Sequence, residues 1–331
     1  MDARVVVVGA SLGGVQALRR LCEVLPSDFG APICVVLHIG AHKSFLPEIL
    51  SAAGALPAVH GSDGQRLEPG RIYVAPSDQH MRVDGDLVRV VRGPKEHHWR
   101  PAIDPLFRSA ARSFGARTIG VVLTGLLDDG TAGMQAIRAY DGTCIVQDPA
   151  EAAAPSMPTS VLKHVAVDHC IRLDDMGPLL SRLVKEPFVE APPMSSPNRT
   201  THEDDISLGA GDVMEHLRAI GSPSTFTCPD CGGTLWQVAG VAPQRYLCHT
   251  GHAFSLQSLL GTQSSQTDAA LWSAIRALQE KRELLLRAAS VARAEGDGGR
   301  AETLRDKAAL LDTSAHSLRR LVEGVSQTVP E

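Results

Sequence analysis

The sequence predicts an α/β protein with a doubly wound, mostly parallel sheet. From residue 2 to about residue 185, short apolar runs alternate with segments of helical periodicity, which is typical of that fold class. The first run, Val5–Val8, has four β-branched residues in succession and predicts a strand buried on both faces. Gly9, Gly13 and Gly14 follow this run and allow a tight turn into the first helix.

The later elements of this part of the chain follow from the same two patterns. Further strands are predicted over Ile33–Leu37, Arg71–Val74, Ile119–Leu123 and Thr143–Val146, and helices over about 44–53, 106–111, 134–137 and 178–184. The alternating segment Met81–Val91 turns at Asp84-Gly85-Asp86. This segment predicts a β-hairpin that forms an antiparallel edge of the sheet.

Composition excludes several classes of protein. The 331 residues are 44% hydrophobic and 21% charged, as in ordinary globular proteins. The net charge of -5 gives no sign of nucleic-acid binding. No stretch approaches the roughly 20 apolar residues that span a bilayer, and the amino terminus lacks the pattern of a secretory signal. We therefore expect no nucleic-acid partner, no direct membrane insertion and a cytoplasmic location.

Four segments are distinguished by composition and pattern. Residues 1–186 form the predicted sheet domain, and residues 187–210, rich in proline, serine and acidic residues, predict a linker. Residues 211–262 contain clustered cysteines and histidines and predict a small zinc-binding module. Residues 263–325 show apolar residues at helical spacing on both sides of a glycine-rich turn, which predicts a helical hairpin. The hairpin can pack on its own chain, join a second copy as a homodimer or dock another partner.

Polar side chains follow three of the predicted strands. Ser11 follows the first strand, His38 ends the second, and Asp128 and Asp129 follow the strand Ile119–Leu123. Because the carboxyl ends of neighbouring parallel strands share one edge of a sheet, we expect these side chains to meet there. A serine, a histidine and a carboxylate that meet in this way form a hydrolase triad. By spacing alone, either aspartate can be its third member.

The glycine-rich turn also allows a different interpretation, a site for the pyrophosphate of a dinucleotide. Dinucleotide-binding folds place an acidic residue about 20 residues beyond the glycines, where it binds the ribose hydroxyls. Here the second strand ends in His38, a poor ribose acceptor and a good general base. The pattern therefore favours catalysis without a cofactor over nucleotide binding.

The cysteine cluster has the spacing of a zinc site. Two residues separate Cys228 from Cys231, sixteen residues follow, and three residues then separate Cys248 from His252. Paired ligands on tight turns, with a hairpin-sized insert between the pairs, match a tetrahedral Cys3His site that is closed and structural. His249 is a less favoured fourth ligand because it adjoins Cys248. Cysteine turns that keep their shape without metal are the alternative.

A series of motifs in the sheet domain occurs in a distinctive order. They are Gly9-Ala10-Ser11 with Gly13-Gly14, the strand ending in His38, the Pro-Gly-Arg-Ile-Tyr-Val-Ala-Pro segment 69–76, Arg100-Pro101 with Asp104 and Leu106-Phe107, and Leu123-Thr124-Gly125 with Asp129-Gly130. In this order they resemble the catalytic domain of the bacterial chemotaxis receptor methylesterase (CheB) family. The resemblance extends from about Arg4 to Val184.

This resemblance implies a protein-glutamate methylesterase, a carboxylic ester hydrolase that also deamidates glutamine. Ser11 would be the nucleophile, His38 the base and Asp129 the third member of the triad, with the backbone amide of Leu126 in the oxyanion hole. The substrate would be a methylated chemoreceptor or a related signalling protein, and methanol would be released. Arg100 either receives the acidic receptor segment or is a solvated surface residue.

The sequence departs from the family pattern in the loop before Gly130. The family usually has Thr-Gly-Met-Gly-Asn-Asp-Gly, whereas Leu126, Leu127 and Asp128 occupy the middle of that segment here. A second carboxylate beside Asp129 can compete for the histidine. These changes keep an alternative open, a catalytically weak signalling adaptor whose zinc and helical tail binds a partner protein.

The beginning of the chain is a further departure. The chain starts directly at the first strand, whereas the family's regulated members carry an amino-terminal receiver domain with a phosphorylatable aspartate. We therefore expect a stand-alone form that is not controlled by phosphorylation of its own receiver domain.

Overall fold

The computed structural model describes residues 3–39, 42–187 and 199–325. The chain divides into two compact units, Met1–Leu259 and Leu260–Glu331. The first unit contains both the sheet domain and residues 211–259. The second unit begins close to the predicted boundary at residue 262 and contains most of the helical hairpin.

Strands and helices of the sheet domain alternate as predicted, and the structure adds two short strands and one helix to the predicted set. Its strands are β1 (Val5–Ala10), β2 (Ile33–Leu37), β3 (Ala58–His60), β4 (Ile72–Val74), β5 (His80–Asp84), β6 (Leu87–Val91), β7 (Thr118–Val122), β8 (Thr143–Gln147) and β9 (His169–Ile171). Its helices are α1 (Gly14–Val24), α2 (Leu46–Ala53), α3 (Ile103–Phe114), α4 (Thr131–Ala139), α5 (Ser156–His164) and α6 (Leu173–Lys185).

The central sheet is parallel and has the strand order β3-β4-β2-β1-β7-β8-β9. β1 pairs with β2 on one side and with β7 on the other. The strand order reverses at this point, so the carboxyl ends of these three strands meet at the switch point of the sheet, where open α/β sheets bind their ligands. The predicted fold class, a doubly wound and mostly parallel α/β sheet, is confirmed.

β1 belongs to two hydrophobic cores, one on each face of the sheet. Val6 and Val8 pack in the core that contains α1 and α6, whereas Val5 and Val7 pack in the core that contains α3 and α4. All four side chains are fully buried. Successive side chains of a strand point to opposite faces, so a strand covered by helices on both sides requires an unbroken apolar run.

β5 and β6 form the predicted hairpin, but the predicted position at the sheet edge is wrong. They form a two-stranded sheet of their own. Met81, Val83 and Val88 pack into the core on the α3 face, and the Val83 amide donates a hydrogen bond to Ser109 Oγ at 3.0 Å. Alternation in the sequence shows that one face is buried but does not identify the element that covers it.

The segment predicted as a linker is in part a helix on the sheet domain. Residues 188–198 lie outside the described residues, and α7 (Arg199–Leu208) follows them. Asp204 of this helix is buried, and its Oδ1 lies 2.9 Å from Arg82 Nη2 and 3.2 Å from Arg108 Nε. Buried arginines of the sheet domain therefore compensate the charge of Asp204. The acidic composition of this segment had predicted a linker.

The cysteine-containing module is built on a small antiparallel sheet. It consists of α8 (Val213–Ile220), β10 (Gly221–Thr227), β11 (Thr234–Val238), β12 (Arg245–Cys248) and β13 (Ala253–Ser255). The four strands pair in the order in which they occur in the chain. Leu235, Tyr246 and Phe254 form its small core together with Cys228 and Cys248.

The helical hairpin is confirmed as α9 (Leu256–Ala294) and α10 (Gly298–Val325). The buried residues of α10 are Ala301, Ala308, Ala315 and Val322, at intervals of seven residues. This spacing keeps one face of a helix against its partner. Among the described helices, none combines the length and the apolar character needed to cross a bilayer.

Candidate active site

Ser11 lies at the carboxyl end of β1, in the turn that leads into α1. Its amide donates a hydrogen bond to the Thr124 carbonyl at 2.9 Å, and its carbonyl accepts one from the Gly14 amide at 2.8 Å. Gly13 has a φ of 77°, and a Cβ at this position would lie 2.6 Å from the Cβ of Ala153. Glycine adopts this backbone conformation without strain and leaves the required space. The turn therefore fixes the Ser11 side chain at the rim of the sheet.

His38 follows β2 and directs its imidazole toward Ser11. Its Nδ1 lies 3.1 Å from Ser11 Oγ, and its Nε2 lies 2.8 Å from Asp129 Oδ2. Trp99 stacks on the imidazole, with ring centroids 4.7 Å apart and planes inclined by 7°. The two hydrogen bonds and the stacked ring together restrain the orientation of the imidazole.

Asp129 is the carboxylate that contacts the imidazole. Its Oδ2 also accepts a hydrogen bond from the Ile103 amide at 2.8 Å, and its Oδ1 accepts from the amides of Asp104 and Gly130 at 3.1 and 2.8 Å. The carboxylate is almost fully buried. Backbone donors from α3 and from the start of α4 thus hold both of its oxygens.

The environment of Asp129 favours its charged form. Burial raises the pKa of this carboxyl, but the hydrogen bond from His38, the charges of His97 and His38, and the Ile103 amide lower it more. The pKa of Asp129 is therefore held below its ordinary value. A charged carboxylate accepts a hydrogen bond from Nε2 of the imidazole and stabilises the imidazolium form.

Asp128 does not compete with Asp129 for the imidazole. Its Oδ1 accepts a hydrogen bond from Ser255 Oγ at 2.7 Å and lies 3.9 Å from Nδ1 of His97. In the described part of the chain, no hydrogen bond or ion pair joins Asp128 to His38. The competition expected from the sequence is absent because Asp128 has other partners.

The three side chains form a hydrogen-bonded series that ends in a carboxylate. When Nε2 of His38 carries the ring proton and donates a hydrogen bond to Asp129, Nδ1 is left to accept the proton of Ser11. The serine hydroxyl then has a general base within hydrogen-bonding distance, and the base has a carboxylate to orient it. This geometry is competent for acyl transfer.

Comparison with known proteins identifies the family. The family model described as CheB methylesterase matches residues 6–180, more than half of the chain. The chain belongs to the CheB methylesterase family. The relatives include a protein-glutamate methylesterase/protein-glutamine glutaminase of Maricaulis maris, 36% identical over 186 residues that cover 55% of this chain and 46% of that protein. Protein-glutamate methylesterase/protein-glutamine glutaminase 5 of Myxococcus xanthus is 40% identical over 185 residues, which cover 54% of this chain and 53% of that protein.

A solved structure also matches this CheB family member. The crystal structure of the Thermotoga maritima CheB methylesterase catalytic domain has a TM-score of 0.54 and 31% sequence identity, and the match covers 56% of this chain and 100% of that one. The chain spans about half the length of the curated relatives it matches. Membership of this family replaces the dinucleotide-binding interpretation of the glycine-rich turn.

In this CheB domain, Gly125 and Leu126 lie beside Ser11. The Gly125 carbonyl accepts a hydrogen bond from the Met157 amide at 2.9 Å, so the Leu126 amide in the same planar peptide group points the opposite way. A Cβ on Gly125 would lie 2.8 Å from the Cβ of Ser11. Among the described residues, the Leu126 amide has no hydrogen-bond acceptor. Its role in an oxyanion hole stays a prediction.

Arg100 is held in an ion pair, so the expectation of a solvated surface side chain is wrong. Its Nη2 and Nε lie 2.6 and 2.9 Å from Asp78 Oδ1, and its Nη1 donates to the Gly93 carbonyl at 2.7 Å. The guanidinium lowers the pKa of the Asp78 carboxyl through these hydrogen bonds. Since Asp78 compensates its charge, Arg100 is a weaker candidate for receiving an acidic substrate, and that role stays a prediction.

Two residues at this site, Trp99 and His97, were not predicted from the sequence. Both belong to the polar loop before α3, and both contact side chains that are distant in the sequence, His38 and Ser258 respectively. In the sequence, both residues lie shortly before the Arg100-Pro101 motif of the family. This position identifies the loop but does not reveal which side chains the loop contacts.

The four predicted metal ligands lie together in the module. Cys228 Sγ lies 3.7 Å from His252 Nδ1, Cys231 Sγ lies 3.7 Å from Cys248 Sγ, and Cys248 Sγ lies 3.5 Å from His252 Nδ1. A tetrahedral zinc ion with Zn–S bonds of about 2.3 Å separates its sulfur ligands by about 3.8 Å. The donor set and its spacing therefore fit zinc. His249 is not a member of this cluster.

Proposed function

We propose that this chain is a serine esterase that removes methyl groups from glutamyl methyl esters on a chemoreceptor-like signalling protein. The observation that carries the proposal is the hydrogen-bonded series Ser11–His38–Asp129. Relatives named protein-glutamate methylesterase/protein-glutamine glutaminase support this substrate class. Their name also supports deamidation of glutamine as a second activity.

The acylation step begins at Ser11. Its Oγ attacks the ester carbonyl carbon while its proton passes to Nδ1 of His38, and the imidazolium that forms is stabilised by Asp129. The Leu126 amide donates a hydrogen bond to the tetrahedral oxyanion, a contact of a kind whose removal typically costs about 10²- to 10³-fold in rate. His38 then returns the proton to the departing methoxide, and methanol leaves a glutamyl ester on Ser11.

The deacylation step uses the same residues in reverse. His38 accepts a proton from a water molecule that attacks the acyl carbonyl, and the proton then passes to Ser11 Oγ as the ester bond breaks. A glutamate residue with an unmodified side-chain carboxylate remains on the substrate protein. When the substrate is glutamine, ammonia leaves in the first step in place of methanol.

Apolar side chains around the nucleophile support a protein substrate. Leu12 follows Ser11 directly and is 57% exposed, and Leu126 and Leu127 in the adjoining loop are 52% and 41% exposed. Exposed apolar residues that cluster at a site commonly mark a surface that contacts another protein. We propose that these three leucines contact the substrate protein next to the methylated glutamate. Homodimerisation through the helical hairpin and a cytoplasmic location stay predictions.

Methanol release from a methylated chemoreceptor tests the proposed reaction. The natural protein should release methanol, whereas Ser11→Ala should show the background rate of the receptor alone, because the substitution removes the attacking oxygen. A matched control is Ser62→Ala, because Ser62 is exposed and its described hydrogen bond goes to Gln65 and not to Ser11, His38 or Asp129. Equal background rates in the natural protein and Ser11→Ala would leave the signalling adaptor as the remaining interpretation.

We also propose that Cys228, Cys231, Cys248 and His252 bind a structural zinc ion. The arrangement of their side-chain donors supports this proposal. So does the turn at each ligand pair, where the Gly232 amide donates to the Cys228 carbonyl at 2.8 Å and the Gly251 amide donates to the Cys248 carbonyl at 2.9 Å. A bound zinc ion would cross-link the two turns of a module whose own core is small. Four protein ligands leave no open position for substrate.

A further inference from the structure

The module of residues 211–259 reaches the proposed catalytic site through β13 and the start of α9. The His97 amide donates a hydrogen bond to the Ala253 carbonyl at 2.8 Å. Gly251 lies so close to Pro94 that a Cβ on the glycine would be 2.7 Å from the proline ring. β13 is therefore seated directly on the loop that precedes α3.

Ser255 and Ser258 form a reciprocal cap at the first turn of α9. The Ser255 amide donates to Ser258 Oγ at 2.8 Å, and the Ser258 amide donates to Ser255 Oγ at 3.1 Å. The Ser255 hydroxyl in turn donates to Asp128 Oδ1 at 2.7 Å. All three side chains are buried. Burial raises the pKa of the Asp128 carboxyl, whereas the charge of His97 and the hydrogen bond from Ser255 at the start of α9 favour its charged form.

His97 links this cap to the carboxylate of the triad. Its Nδ1 lies 3.3 Å from Ser258 Oγ, and its Nε2 lies 3.2 Å from Asp104 Oδ2. One ligand atom each of His97, Asp104 and Asp129 lies within 4.8 Å of the others. Burial lowers the pKa of His97, but the hydrogen bond to Asp104 and the charges of Asp129, Asp104 and Asp128 raise it to about 9. A buried cation therefore faces three carboxylates.

We propose that Ser255 and Ser258 are positioning residues of the esterase site: they hold Asp128 and His97, and His97 lies beside the Asp129 carboxylate. The module is then a part of the site and not an appended domain. This inference rests on the proposed function, because Asp129 acts through His38. It also gives a role to Asp128, which stands where the family pattern has asparagine: its carboxylate receives the Ser255 hydroxyl.

The test compares full-length variants in the hydrolysis of p-nitrophenyl acetate, a small ester that does not need the receptor. The variants are Ser255→Ala, Asp128→Ala, the double variant and Asp128→Asn, with Ser222→Ala as the matched control because Ser222 is exposed on β10. Ser11→Ala defines the background. The burst of nitrophenolate counts the working sites, so a partly unfolded preparation does not lower the measured kcat.

We expect Ser255→Ala and Asp128→Ala each to lower kcat roughly tenfold with little change in KM, because the base is misplaced and the substrate is not touched. The double variant should be no slower than the slower single variant to within about twofold, since both substitutions remove one contact. Asp128→Asn retains an acceptor for Ser255 and should recover most of the activity. Ser222→Ala should match the natural protein.

Three results would overturn the inference, and they are distinguishable. If Ser255→Ala keeps the kcat of the natural protein while Ser11→Ala is inactive, the esterase stands and the positioning role fails. If the two single effects multiply in the double variant, Ser255 and Asp128 do not act through a shared contact. If the natural protein itself is no faster than Ser11→Ala, the proposed function and the inference fail together.

Discussion

At the scale of single residues, the site depends on how His38 is held. Both ring nitrogens have partners, and Trp99 covers one face of the ring. A displacement of about 1 Å in a catalytic group can cost on the order of 10²-fold in rate. Restraint of the imidazole is therefore as important to the proposed reaction as the presence of the three triad residues.

Removal of the Trp99 indole tests this restraint. Trp99→Ala should lower kcat for p-nitrophenyl acetate roughly tenfold, because the imidazole gains freedom to rotate away from Ser11. Trp99→Phe keeps an aromatic face against His38 and is the matched control, with an expected kcat within about threefold of the natural value. A Trp99→Ala enzyme with unchanged kcat and an unchanged burst would contradict a restraining role for the stack.

His97 makes the stability of the fold depend on pH. Its pKa in the folded protein is raised to about 9, chiefly because Asp104, Asp129 and Asp128 outweigh the effect of burial. The unfolded chain has a histidine pKa of about 6.5. Since the folded value is the higher one, the stabilisation is fully present below a pH of about 6.5 and is lost as the pH rises through about 9.

Urea unfolding at about pH 6 and about pH 9.5 measures this contribution. The natural protein should lose up to about 3 kcal/mol of unfolding free energy between the two conditions through this group. His97→Gln keeps a side-chain donor but does not titrate, so its loss should be smaller. Equal losses in the two proteins would show that His97 is not the titrating group.

At the scale of elements, the module depends on its two cysteine turns. Its hydrophobic core is small, and the four proposed ligands join the turn after β10 to the turn after β12. A metal ion that binds the folded but not the unfolded form stabilises a protein by mass action. The module should therefore owe much of its stability to zinc.

Metal analysis and thermal unfolding check this expectation. The natural protein should contain about one zinc ion per chain, and a chelator should lower the unfolding temperature of the module. Cys231→Ser removes an accessible ligand and should reduce both the zinc content and the unfolding temperature. Cys170→Ser replaces an exposed cysteine outside the cluster and should change neither. A natural protein that folds fully without bound metal would contradict the proposal of a structural zinc ion.

Elements with a strong pattern of apolar residues were predictable from the sequence, whereas the residues that these elements contact were not. The buried strands followed from unbroken apolar runs, but α6 begins at Leu173 and contains Pro178 in its interior, where the sequence predicts a helix start. Burial of Leu179, Leu180 and Leu183 offsets the hydrogen bond that proline cannot make. Likewise, α7 is stabilised by ion pairs with arginines more than 90 residues away, which local composition does not reveal.

At the scale of the whole molecule, topology explains why the contact among Ser11, His38 and Asp129 was predictable. Ser11, His38 and Asp129 each follow a parallel strand, and the three strands are neighbours in the sheet. Spacing alone left the choice between Asp128 and Asp129 open, and the family resemblance implied Asp129. The coordinates show that Asp129 faces the imidazole. Trp99 and Ser255 also escaped prediction, since they reach the site from a loop and from the module.

Identification of the acylated residue tests most directly whether Ser11 is a nucleophile activated by His38. The protein is mixed with p-nitrophenyl acetate, quenched during the burst and digested, and the peptides are analysed by mass spectrometry. Acetyl should be found on Ser11 in the natural protein and should be absent from Ser11 in His38→Ala. Acetylation at another residue, or equal acetylation of Ser11 without the imidazole, would contradict the proposed mechanism.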